Sequence, residues 1–280
     1  MNHTLIIDGA NFLHRARSGF ALGDYAIVYN TLRSLRPICD WTKPTRVVFT
    51  LEGRPKRQLA LLPEYKANRF VDPNDLEKVK SNADFHRQSD VVVDLLKKHF
   101  PVSVVQHSDF EADDLIYNVI LSSSTVARFT VVSTDTDFTQ LLQEFNNVEL
   151  YNPVKKKYVE APPYDYVRWK ALRGDASDNI PHLPGINNDA IAVEFFSHGE
   201  RFEEALVNTE RFEEFKRNVE LIQFKRWTDE ERLLMRSSTP TRDWEKVREL
   251  FKTWNFNSLL KEGTWDKFVN TFEPLWGNVG

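Results

Sequence analysis

The chain has 280 residues, 41% hydrophobic and 28% charged, with 20 Phe and 7 Trp. That is enough apolar material for a packed core, and it excludes a disordered polypeptide. The single cysteine, Cys39, excludes an intramolecular disulfide and suits a reducing compartment. No apolar run nears the roughly 20 residues of a membrane span, and the opening MNHTLIIDGAN lacks the basic region of a signal peptide. A cytoplasmic protein without membrane contact is expected.

In chain order, residues 4–7 are a short apolar run ending in Asp8-Gly9. Residues 46–51 (RVVFTL), 102–106, 129–133 and 148–151 repeat that β-branched and aromatic character. Helical patterns fall between them at 25–39, 89–100, 111–122 and 138–144, with Ser108 or Asp109 as N-cap of the third. The alternation predicts an α/β fold, a mostly parallel central sheet with helices on both faces. NPVKKK at 152–157 reads as a small hairpin turn. After residue 162 only helices are expected, at 164–172, 190–197, 210–221, 228–234 and 244–253. A division near 160 therefore separates a core, 1–160, from a helical lobe, 161–280. Between Gly53 and Gln88 lie 36 residues with no confident element, a length that marks a functional loop.

The net charge of −4 argues against a nucleic-acid binder until its distribution is considered. Five cations, Arg54, Lys56, Arg57, Lys66 and Arg69, occur with one anion, Glu64, in the first half of that long connection. The acids gather elsewhere, at strand ends. Asp8 ends the first strand and Glu52 the second; Glu111, Asp113 and Asp114 open the helix after the third; Asp135 and Asp137 follow the fourth. Asp175 and Asp178 lie in LRGDASDNIP. In open parallel sheets ligands bind beyond the carboxyl ends of the strands, so these groups should converge. Singly, each has an ordinary reading as a helix-dipole partner, a cap or a turn; their repetition at successive strand ends does not. Nine carboxylates brought together repel one another unless they bind protons or cations. Oxygen donors without clustered His or Cys favour Mg²⁺ or Mn²⁺, and two such ions roughly 3.5–4 Å apart recur in phosphoryl displacement.

Five segments carry a family resemblance: LIIDGANFLHRA (5–16), LPEYKANR (62–69), EADDLI (111–116), STDTDFTQLL (133–142) and LRGDASDNIPHLPGI (172–186). In this order they resemble the flap endonuclease and 5′–3′ exonuclease family, which includes stand-alone bacteriophage nucleases and the 5′-nuclease domain of DNA polymerase I. The resemblance implies a PIN-like core with a helical arch at about 53–88 and a lobe bearing a helix–three-turn–helix. It implies two metal sites: Asp8, Glu52, Glu111, Asp113 and Asp114 at the tighter, Asp175 and Asp178 completing the second, and Asp135 and Asp137 shared. Lys66 and Arg69 would act with Asp8 and Asp135 in catalysis by approaching the scissile phosphate, and Tyr65 would stack on a base. Arg54, Lys56, Arg57, Lys216 and Arg217 would bind DNA, as would the backbone near Gly185, where the family holds a potassium ion.

Two positions depart from the family pattern. Glu52 stands where many relatives carry Asp. Pro184-Gly185-Ile186 is followed by Asn187-Asn188-Asp189, so a Gly and a basic residue are missing and Asp189 would repel phosphate. The expected substrate is DNA with 5′ single-stranded ends or flaps, cut by a monomer in Mg²⁺. RNA–DNA hybrids, with RNase H-like primer removal, and a silent DNA-binding relative stay as alternatives. A phosphatase of the haloacid-dehalogenase type would need Asp where Ala10 stands, and no G-x-G-x-x-G supports a dinucleotide site.

Overall fold

A computed structural model describes residues 2–21, 23–123, 127–186, 188–198 and 209–277. Asn187, one of the two departures above, lies outside the described residues. Strands β1 (His3–Asp8), β2 (Arg46–Leu51), β3 (Ser103–Gln106), β4 (Arg128–Val132), β5 (Val148–Asn152), β6 (Lys157–Val159) and β7 (Arg236–Ser237) form one seven-stranded sheet in the order β6-β5-β4-β1-β2-β3-β7. The five central strands are parallel, while β6 and β7 close the two edges antiparallel. β1 sits in the middle because it is apolar on both faces. Leu5 and Ile7 enter one buried cluster, and Ile6 enters the other. From β1 the chain first winds outward through β2 and β3, then returns to β4 on its other side. Strand order reverses there, and in sheets of this kind a ligand binds in the crevice beyond the carboxyl ends of the strands, here β1 and β4.

Helices α1 (Gly9–Arg17), α2 (Ala26–Thr42) and α4 (Leu76–His99) cover the face carrying Leu5 and Ile7, and α5 (Ala112–Leu121) and α6 (Thr139–Glu144) cover the other. Gly9 is obligatory where α1 leaves the sheet, since a Cβ there would stand 2.1 Å from the Thr50 carbonyl oxygen.

The 53–88 connection is more ordered than expected. It holds α3 (Lys56–Leu61), a short 3₁₀ turn (Ala67–Arg69) and the first half of α4. Asp75 caps α4 by accepting from the Lys78 backbone N–H at 3.1 Å, so this helix starts 13 residues before the expected 89. The expectation failed because residues 76–88 are mostly polar, with only Phe85 and Gln88 buried.

The second half also differs. β7 is a strand where only helices were expected. A lobe does form from α7 (Tyr166–Arg173), α8 (Asp189–Ser197) and α9 (Thr209–Ile222), around a small core of Leu172, Ile180, Leu183, Phe215 and Leu221. Beyond α10 (Asp229–Leu233), however, α11 (Trp244–Thr253), α12 (Asn257–Leu260) and α13 (Thr264–Trp276) return to the first core, where Val247, Phe251, Phe268 and Phe272 pack with Phe49, Leu96 and Phe100. A boundary at 160 thus cuts through one hydrophobic cluster. Phe268→Ala should consequently cost the whole domain about 3–5 kcal/mol. A two-state urea melt that shifts globally is expected, rather than loss of a separate C-terminal transition.

Candidate metal-binding and nuclease site

The crevice collects the strand-end acids through local geometry. Asp8 closes β1 and caps α1: its Oδ1 accepts from the Asn11 N–H at 3.1 Å, and its Oδ2 accepts from the Ser133 hydroxyl at 2.7 Å. The same Ser133 Oγ accepts from the Asp135 N–H at 3.0 Å. Asn11 and Thr134 exchange two further bonds, of 2.7 and 3.2 Å. The ends of β1 and β4 are thereby locked together. Glu52 closes β2, and its Oε2 takes the Ala112 N–H at 3.0 Å. It caps α5, a role expected of Ser108 or Asp109. Asp8, Glu52, Glu111, Asp113 and Asp135 line one open cavity of about 810 Å³ with Arg54, Lys66 and Arg69. Asp135 also lines a second cavity, of about 490 Å³, with Asp175 and Asp178.

Asp8, Glu52, Asp113 and Asp137 resist ionisation in this setting. Burial raises the Asp8 carboxyl above the usual range, against the bonds from Ser133 and Asn11. Burial, then the charges of Asp135 and Glu52, push Asp113 well up. The protein around Glu52, with Glu111 and Asp8, takes it to about 7. Burial raises Asp137 too, although Lys170 pulls the other way.

Lysines supply the opposing charge. Lys66 pairs with Glu111 and stands 3.6 Å from Asp178, and Arg69 pairs with Asp178. Lys170 is buried between Asp137 and Asp175, 2.6 Å from the latter. Burial works against ionisation of Asp175, but Lys170 and two bonds from Ser177 carry it down to about 2. Among the described residues, no three His, Cys, Asp or Glu side chains are disposed to hold an ion as they stand. The donor set nevertheless fits hard divalent cations. It is all oxygen, faces a solvent-open cavity and is crowded enough to hold its own protons, so added positive charge would be taken up.

Several predicted residues are engaged otherwise than expected. Asp114 is one position from Asp113 on α5, about 100° around the helix. It faces the lobe, where its Oδ1 accepts from the Lys225 N–H at 2.6 Å and its Oδ2 lies 3.7 Å from Arg57. Tyr65 is 5% exposed, and its hydroxyl lies 2.9 Å from Glu111 and 3.1 Å from Asp178, so it has no face free for a base. Arg57 is tied to the Glu220 and Gln223 carbonyls. Lys56 pairs with Asp109 at 2.8 Å, and Lys216 lies 3.3 Å from Glu213. Arg217 is half-buried beside Asn218. Gly185 keeps the left-handed backbone (φ +85) of a tight turn. Asp189 pairs with Arg173, which offsets the charge expected to repel phosphate. Asp114→Ala should leave cleavage per folded molecule nearly unchanged, yet cost about 1–3 kcal/mol through unpaired polar groups. Thermal melts beside initial rates check this.

Sequence reasoning missed Ser133, Lys170 and Tyr166, whose hydroxyl donates to Asp137 Oδ1 at 2.8 Å. One signal was available: Lys170 and Tyr166 are four apart on one helix, immediately before LRGD. The left-handed backbone of Lys66 (φ 55), held by its N–H on the Asp178 carbonyl at 2.9 Å, had no sequence signal.

Residues 3–168 match the family described as 5′-3′ exonuclease, N-terminal resolvase-like domain. A 5′-3′ exonuclease of Mycobacterium tuberculosis (strain ATCC 25618 / H37Rv) is 25% identical over 227 residues, 70% of each chain. The DNA polymerase I of Rhizobium leguminosarum is 26% identical over 225 residues, 71% of this chain and 21% of that one. The DNA polymerase I of Bacillus subtilis (strain 168) is 25% identical over 290 residues, covering 92% of this chain and 32% of that one. The chain thus spans a minor part of those two polymerases. Zinc-bound T5 5′-exonuclease superposes with a TM-score of 0.65 at 20% identity, covering 79% of this chain and 89% of that one. The flap endonuclease of bacteriophage T5, in a pseudo-enzyme–product complex with DNA and metal ions, gives 0.64 at 19% identity, with 79% and 89% covered. At these identities the likeness establishes the shared fold.

Proposed function

Since this chain belongs to the 5′-3′ exonuclease family with the N-terminal resolvase-like domain, we propose that it is a divalent-metal-dependent 5′-nuclease that hydrolyses DNA at or near 5′ ends and flaps. The observation that carries this reading is the single cavity into which the ends of β1, β2 and β4 and the start of α5 send five carboxylates, with Lys66 and Arg69 on its wall. Such a site attracts phosphate through its cations and holds its counter-ions through its acids.

Asp8, Glu52, Glu111, Asp113 and Asp135 would hold one Mg²⁺ or Mn²⁺, and Asp137, Asp175 and Asp178 a second, with Asp135 between the two. When bound, the pair supplies positive charge to the scissile phosphate and acidifies the attacking water. Water adds to phosphorus, the bond from phosphorus to the 3′ oxygen breaks, and that oxygen leaves as a hydroxyl, so the product keeps its 5′ phosphate. Lys66, which now pairs with Glu111, would donate Nζ–H to a non-bridging phosphate oxygen were that carboxylate engaged by an ion. Arg69, more exposed than Lys66, would steady the same phosphate or its neighbour. Tyr166 and Ser133 orient Asp137 and Asp8, fixing the acids without touching the substrate.

The test is a cleavage assay on end-labelled flap, nicked, blunt and single-stranded DNA, with Mg²⁺ or with chelator. Cutting near the 5′ end of the flap, abolished by chelator, is expected. Cutting that persists in chelator, or cutting of none of these substrates, contradicts the reading.

A further inference from the structure

A further cavity, of about 650 Å³, lies on the face of the sheet carrying α1 and α2. Its lining includes Arg15 of α1, Arg33 and Trp41 of α2, Phe20, Tyr151 at the end of β5 and Lys156 in the β5–β6 turn. No carboxylate is among its described lining residues, although acids outnumber bases in the chain. Among the described residues, Arg15, Arg33 and Lys156 take part in no salt bridge, whereas most cations near the crevice are paired. Arg33 instead lies 4.1 Å from the Phe20 ring centroid, and burial pulls the half-buried Arg15 guanidinium down from its ordinary value. Phe20 is 64% and Trp41 55% exposed, so both keep an open face. Arg33, Pro37 and Trp41 recur at four-residue spacing and form one stripe along α2.

The groove adjoins the nuclease crevice at two points. Arg15 lies six residues along α1 from Gly9, about 9 Å of helix rise from the end of β1. Tyr151 is the sheet partner of Val132, which directly precedes Ser133.

We propose that this groove receives a single-stranded arm of the nucleic-acid substrate, a base stacking on Trp41 or Phe20 while its phosphates meet Arg15, Arg33 and Lys156. The inference rests on the nuclease reading for the direction from which the strand arrives. Open aromatic faces interleaved with unpaired cations are the chemistry by which proteins hold single strands without reading sequence. An acidic peptide would use the cations but would leave the aromatic faces idle.

The experiment is equilibrium binding of a fluorescent oligothymidylate to the full chain in chelator, where no cutting interferes. Trp41→Ala should weaken binding about tenfold. Arg33→Glu with Lys156→Glu should flatten the salt dependence by about 1.4 in log–log slope. All three side chains are exposed, and a thermal melt matching the parent verifies folding of each variant. The measurement contains no cleavage step, so failure of the nuclease reading would leave its result standing. Unchanged affinity and salt slope in both groove variants would overturn the proposal. So would displacement by polyglutamate of a dye tethered at the groove that the oligonucleotide leaves in place.

Discussion

Asp113→Asn is expected to slow cleavage of a 5′-flap substrate by at least about a thousandfold, and to make the folded chain more stable in chelator. Both effects come from one cause. Asp113 is held in a crowd where burial, Asp135 and Glu52 all oppose its charge. A carboxyl whose folded pKa is raised binds more protons folded than unfolded. Its contribution to stability is therefore present at low pH and lost as pH rises toward the raised value. Asparagine has no charge to lose. The variant and the parent should melt together only at or below about pH 4, the ordinary carboxyl range, and separate progressively as pH rises from there, with the variant higher. Divalent ions should then raise the parent's melting temperature more than the variant's, by mass action on the folded state. Equal melting at every pH, or undiminished cleavage, would show that Asp113 carries no such charge burden.

Lys66→Ala should lower turnover about 10²–10³-fold with only a small change in substrate affinity, because its ammonium is placed to meet charge that grows during reaction. It should also destabilise the chain in chelator, the opposite sign to Asp113→Asn. Burial lowers the Lys66 pKa, but Glu111 and Asp178 more than offset it, so the net shift is upward. The pair's contribution is present below the ordinary lysine value and lost only as pH rises beyond the folded one. Single-turnover rates, direct binding and melts on the same preparation separate the three effects. A loss confined to affinity would make Lys66 a docking residue.

The contrast between these substitutions also shows what was legible in the sequence. Strands were readable because β1, β2 and β4 are apolar on both faces, a pattern that survives without partners. Convergence of the acids followed from one rule about strand ends, which brought Asp8, Glu52 and Asp135 to one cavity. Direction around a helix was harder. Asp113 and Asp114 are adjacent in EADDLI, and only the placement of distant partners, Lys225 and Arg57, shows that Asp114 turns toward the lobe. Counter-ions were hidden for a similar reason. A lone lysine on α7 resembles any solvated helix face until folding buries it between Asp137 and Asp175. The C-terminal helices were assigned to the lobe by adjacency in the chain. Their Phe251, Phe268 and Phe272 belong instead to the core under β2, a long-range contact that no local pattern records.

We take these acids to gather so as to hold doubly charged ions. Anomalous scattering from crystals soaked in Mn²⁺ tests this most directly. Manganese peaks are expected within about 2.0–2.4 Å of oxygens from Asp8, Asp113 and Asp135, with the Lys66 ammonium moved away from Glu111. Strong peaks elsewhere, or an unaltered crevice in a protein that still cuts DNA, would contradict it.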